Sequence, residues 1–153
     1  MKITLLWIGK TRNASIRNLI QDYRNRIGHF CELSIIEVKP IEDDDIDKLI
    51  FREGERLLIG VVPSDFLILL DVEGKSLTSV RFADFIALHR DRSQKNLVFA
   101  IGGHPGLSKE IKDRANLRLS VSQMTLTHEM TRLVLMEQIY RAFTLIHHIP
   151  YHK

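Results

Sequence analysis

Residues 99–107 read FAIGGHPGL, an apolar run that gives way to Gly102, Gly103 and Gly106 just ahead of a helix-like stretch. A glycine-rich turn between a strand and a helix brings backbone N–H groups close to a ligand, commonly a phosphate. The spacing here is G-G-x-x-G. The dinucleotide fingerprint is G-x-G-x-x-G after the first strand of its unit, with an acidic residue about 20 positions on. This loop follows the fourth apolar run, and the stretch beyond it, LRLSVSQ, contains no acid. A nicotinamide-dependent oxidoreductase is therefore a weak reading, and the glycines alone describe only a tight turn. Just downstream, SVSQMTL (120–126) is small, polar and uncharged. That composition leaves backbone N–H and C=O groups free to bond a flat heteroaromatic ring.

Other polar clusters have simpler explanations. The acidic run EDDDID (42–47) stands at a helix start, where carboxylates favour the macrodipole, and it lacks the spacing of a calcium loop. His147 and His148 are neighbours that point in different directions on a helix, with only His152 close by, so no metal site is expected. Glu137 and Arg141, at i and i+4, suit a solvated helix pair. The terminal Tyr151-His152-Lys153 would be a frayed tail by position. By composition it offers a ring to stack on a base, an imidazole to handle a proton and a cation to hold a phosphate.

The elements that must position these residues alternate along the chain. Apolar runs at 3–9, 32–38, 66–72, 97–102 and 117–122 have strand length. Between them, Ile16, Leu19, Ile20, Tyr23 and Ile27 trace a helical stripe that starts after Asn13 or Ser15 and stops at Gly28. Ile46, Leu49, Ile50, Leu57 and Leu58 trace a second, and Phe82, Phe85, Ile86 and His89 a third. Strands alternating with helices predict an α/β fold with a mostly parallel sheet and helices on both faces. From Thr127, a plausible N-cap, a long helix begins. Met130, Leu133, Val134, Ile139 and Phe143 form one stripe, while Leu135, Met136, Ala142 and Ile146 extend the apolar surface well beyond it. A helix apolar over so much of its circumference is buried on two sides, one of them expected to meet a second copy of the chain.

The 153 residues suffice for one core, so a single domain spanning 1–153 is expected. Cys31, the single cysteine, reads as a small buried apolar residue. No stretch has the length of a membrane span, and the six uncharged residues after Lys2 lack a small-residue cleavage site, so a cytoplasmic location is expected. The net charge of +3 divides unevenly. Residues 1–75 carry 11 Lys/Arg against 13 Asp/Glu, whereas residues 76–153 carry 11 against 6 and six of the seven histidines. A basic C-terminal half suits an anionic partner such as RNA.

Several blocks, in one order and at one length, carry a resemblance. They are LLD with a glycine at 69–74, IGGxxGL at 101–107, LSxSxxTLxHxxxR at 119–132, EQxYRA from 137, and the terminal PYHK. Together they resemble the ribosomal large-subunit pseudouridine N3-methyltransferases, minimal members of the SPOUT class of knotted S-adenosylmethionine enzymes. His104-Pro105 and His148-Ile149 depart from the usual pattern. The resemblance implies a C-terminal trefoil knot whose loops hold bent S-adenosyl-L-methionine, so the glycine loop would face no phosphate. It puts cofactor contacts on Leu70, on Gly102, and on Val121, Ser122, Gln123, Met124, Thr125 and Leu126. The implied substrate is large-subunit rRNA on the ribosome and the implied assembly a homodimer, with a helix or tail of one copy completing the site of the other. The implied reaction needs a base, or a cation that stabilises an anion, near a pyrimidine N3. Candidates are His128, Arg132, Tyr140, Arg141, Tyr151 and His152, with His152 favoured as proton handler and Lys153 as an RNA contact. A non-catalytic RNA- or ribosome-binding module of the same fold is the other reading.

Overall fold

A computed structural model of the chain describes residues 1–91 and 96–151. Its apolar runs form strands β1 (Lys2–Ile8), β2 (Glu32–Val38), β3 (Phe66–Ser76), β4 (Leu97–Ile101) and β5 (Leu117–Ser120). All pair in parallel, in the order β2-β1-β4-β3-β5. The connecting helices are α1 (Ala14–Ile27), α2 (Ile46–Ile59), α3 (Ser79–Asp91) and α4 (Lys109–Arg114), and α5 (His128–Ile146) closes the fold.

Strand side chains alternate between faces, and the two faces have separate cores. Ile3, Leu5, Trp7, Ile68, Phe99 and Ile101 pack with α1, α3 and α5, whereas Leu6, Ile8, Leu67, Leu69 and Ala100 pack with α2 and α4. Central strand β4 is buried along its whole length, as expected of a parallel strand covered on both sides.

The helix boundaries follow the capping chemistry in the sequence. Asn13 Oδ1 accepts the Ile16 N–H at 3.0 Å and Thr127 Oγ1 accepts the Met130 N–H at 3.3 Å, so both predicted N-caps close their helices. Three features depart from the sequence pattern. Helix α4 is too short to show a periodic stripe, and Ser108 alone marks its start. Strand β5 ends at Ser120, so Val121 and Ser122 leave the sheet. Strand β3 runs on to Ser76 with a register break between Leu70 and Lys75 against β5.

Helix α5 lies against both α1 and α3 and buries Leu135, Met136, Ile139, Ala142 and Phe143. Of the stripe read as its main face, Met130 is exposed and Leu133 and Val134 are half-buried. Leu133 packs at the edge of the core, while Met130 and Val134 keep apolar surface that this core does not cover. Among the described residues, no helix is long and apolar enough to cross a membrane.

Candidate active site

A cleft of about 230 Å³ opens where β3, β4 and β5 end. Ligands in open parallel sheets bind beyond the carboxyl ends of the strands, because the loops there diverge. Leu70, Ile101 and Leu119 supply apolar floor from the three strand ends, and the 102–107 loop and the 120–126 segment supply the walls.

Each wall is shaped by its own residues. In the glycine loop, Gly106 has φ +119°, a conformation open to glycine. A β-carbon on Gly102 would lie 2.5 Å from Leu107 Cδ2 and 3.2 Å from the Gly106 carbonyl, so a side chain there requires Leu107 to move and crowds the loop backbone. In the opposite wall, Ser120 Oγ donates to the Ser122 carbonyl at 2.8 Å, and Ser122 Oγ accepts the Met124 N–H at 2.9 Å. These serines fold the segment after it leaves β5. Asp71, in β3 at its register break, also lines the cleft, its carboxylate fixed at 2.9 Å by Arg118 Nε and at 3.0 Å by the Glu73 N–H.

The cleft brings together Leu70, Gly102, Val121, Ser122, Met124, Thr125 and Leu126; of the expected cofactor contacts, only Gln123 is not part of its lining. His128, in the first turn of α5, lines it too, and the His104 ring stands edge-on at 6.2 Å between centroids. Burial, then the neighbouring Arg132 and His104, hold the His128 imidazole below the usual histidine range, so it is neutral at pH 7. Asp71 and His104 were not among the expected contacts. The first had a signal, an acid closing an apolar strand; the second had none beyond its place in the loop.

The other candidates lie elsewhere in the chain. Arg132 is buried, with no carboxylate partner among the described residues. Its guanidinium donates to the Ile8 carbonyl at 2.6 Å and Thr11 Oγ1 at 3.0 Å, and lies over the Trp7 ring at 5.1 Å. It fastens α5 to the loop after β1. Arg141 pairs with Glu137, its Nε donating to Oε1 at 2.9 Å. Tyr151 reaches the same place. At the end of α5, His148 takes φ 54° and the Ile149 N–H donates to the Thr144 carbonyl, turning the chain back. Tyr151 then stacks edge-on with Tyr140 at 4.9 Å, donates to Glu137 Oε1 at 3.2 Å and lies under the Arg141 guanidinium. Burial, then Tyr23 and Glu137, push its phenol well above the usual range and keep it protonated. His152 and Lys153 lie outside the described residues. His128 and Arg141 are 13 residues apart on α5, about 20 Å at 1.5 Å per residue. One copy of the chain therefore keeps the cleft and the Tyr151 cluster at opposite ends of a helix.

A family model described as a predicted SPOUT methyltransferase matches residues 1–152. The chain belongs to the SPOUT methyltransferase family. Curated relatives named ribosomal RNA large subunit methyltransferase H are similar along its full length. The protein of Trichlorobacter lovleyi is 45% identical over 152 residues, covering 99% of each chain. That of Geobacter sulfurreducens is 43% identical over 152 residues, again 99% of each, and that of Carboxydothermus hydrogenoformans 40% over 159, covering all of both. Membership implies a methyl donor, and the cleft offers apolar walls and close backbone approach at the positions the family pattern assigns to it.

Proposed function

We propose that this chain is an rRNA methyltransferase that moves the methyl group of S-adenosyl-L-methionine to N3 of a pseudouridine in large-subunit rRNA, acting on the assembled ribosome as a homodimer. One observation carries the reading: the segments that the family resemblance assigns to donor binding, far apart in the chain, line one cleft, all but Gln123 of their residues taking part. The full-length similarity to enzymes named for the ribosomal large subunit supports the RNA substrate.

S-adenosyl-L-methionine, when bound, supplies an activated sulfonium methyl. The protein's part is to hold donor and base in line and to manage one proton. Leu70, Ile101 and Leu126 give an adenine apolar contact, while the backbone of 121–126 offers its edge hydrogen bonds. As the N3–methyl bond forms and the sulfur–methyl bond breaks, the N3 proton must leave. His152 is the proposed acceptor, and His128, neutral by environment and already in the cleft wall, is the second. Arg141 and Tyr151 would flank the base, and Lys153 would hold RNA phosphate. Because α5 separates Tyr151 from its own cleft, the partner's tail is the one proposed to complete each site.

Calorimetry and single-turnover transfer on ribosomes test this together. Deleting residues 151–153 is expected to leave donor affinity within about twofold and to lower transfer by about a hundredfold or more, the range for loss of a proton-handling group. A truncated protein that transfers at the normal rate rules out the tail's role.

A further inference from the structure

Behind the glycine loop lies a carboxyl group with no part in the chemistry above. Glu53 on α2 is 5% exposed, and its Oε2 is buried with no hydrogen-bond partner among the described residues. Buried polar atoms rarely go unpartnered, because desolvation is then uncompensated. Burial lifts this carboxyl above its ordinary range, against the pull of the Ile41 backbone N–H and the Arg56 guanidinium.

The group presses on the cleft wall. A β-carbon on Gly103 would overlap Glu53 Oε2 and lie 3.0 Å from its Cδ. Only Gly9 and Gly106 among the glycines have positive φ, so the backbone itself does not demand glycine at 103. The adjacent Gly54 makes a similar approach. A β-carbon there would overlap Ser108 Oγ, the N-cap of α4. Consecutive residues of α2 thus abut both the loop, at 103, and the helix that follows it, at 108.

We propose that Glu53 is a positioning residue for methyl-donor binding: its carboxyl occupies the space behind Gly103 and sets how far the loop recedes from the cleft. This rests on reading the cleft as the donor site. Glycine at 103 is then required by Glu53 and not by the donor. A side chain at 103 must displace either the buried Glu53 carboxyl or the loop; in the proposal the carboxyl holds its place and the loop moves into the cleft.

The test is a cycle of substitutions with S-adenosyl-L-methionine affinity read by calorimetry and the KM for donor and kcat read by methyl transfer. Gly103→Ala is expected to raise the donor Kd and KM about tenfold with kcat at saturation little changed, an effect typical of coupled neighbours. Adding Glu53→Ala, which removes the obstructing carboxyl, is expected to bring affinity back to within about threefold of the parent, a coupling of the same kind. Adding Glu53→Gln, which keeps the bulk, is expected to restore nothing. If Glu53→Ala does not fold, Glu53→Asp draws the carboxyl back by one methylene and should give partial recovery. Independent, multiplying effects at 53 and 103 would overturn the proposal. A parent protein that binds no donor would instead overturn the reading of the cleft.

Discussion

Gly102 and Gly103 are adjacent and indistinguishable in sequence, yet different neighbours would crowd a side chain at each. At 102 the obstruction is Leu107 and the Gly106 carbonyl, within the loop; at 103 it is Glu53, from another helix. The glycine pattern alone described a tight turn, and it was the family resemblance that implied a donor contact at Gly102. Its close partners depend on how the loop winds, which no local pattern encodes. Gly102→Val is expected to weaken donor binding between about tenfold and a hundredfold, matching roughly 1 to 3 kcal/mol of over-packing. The thermal midpoint should change little, because the branched side chain distorts the loop and leaves the sheet core intact. Unchanged affinity by calorimetry would remove Gly102 from the site. Asp71 and His104 were harder to read. An acid after an apolar strand is a common solvated strand end, and only the register break in β3 and the position of Arg118 make Asp71 part of the cleft wall.

Helix α5 was legible in position, start and unusual apolarity, because a Thr cap and a long run of apolar residues are local properties. The division of its surface was not, since Leu133 and Leu135 look alike until α1 and α3 are in place. Of its polar contacts, the Glu137–Arg141 pair at i and i+4 was legible from spacing and forms, whereas Glu129 and Arg132, at i and i+3, reach different targets. Glu129 accepts the backbone N–H groups of Arg12 at 2.6 Å and Asn13 at 3.1 Å, while Arg132 enters the core. Both join the N-terminal turn of α5, which carries His128, to the loop after β1. These backbone bonds hold the Glu129 carboxyl below its usual range. A carboxylate with a depressed folded pKa contributes stability above its unfolded pKa and loses it as pH falls through the folded value. Glu129→Gln is therefore expected to cost about 1 to 2 kcal/mol near neutral pH and nothing at strongly acidic pH, where the parent carboxyl is protonated too. Thermal melts of both proteins across pH check this. Parallel curves would contradict it.

For the molecule as a whole, the alternating pattern predicted the parallel sheet and its two helical faces, since each strand and helix carries its own period. A knot is a property of the chain's path, not of residue types, and only the family resemblance could suggest one. The separation of Tyr151 from the cleft was likewise invisible until α5 had a length and the turn at His148 a direction. Those features, with half-buried Leu133 and Val134 and exposed Met130 on α5, motivate a functional dimer. Sedimentation at micromolar protein is expected to show a dimer, and Val134→Asp to yield monomers that transfer poorly. A fully active monomer would contradict shared sites. The function itself is tested most directly by supplying purified protein and S-adenosyl-L-methionine to ribosomes from cells lacking the gene, then analysing large-subunit rRNA nucleosides by mass spectrometry. N3-methylpseudouridine should appear in proportion to ribosomes and be absent without donor; its absence, or a methyl group on any other nucleoside, would contradict the proposed reaction.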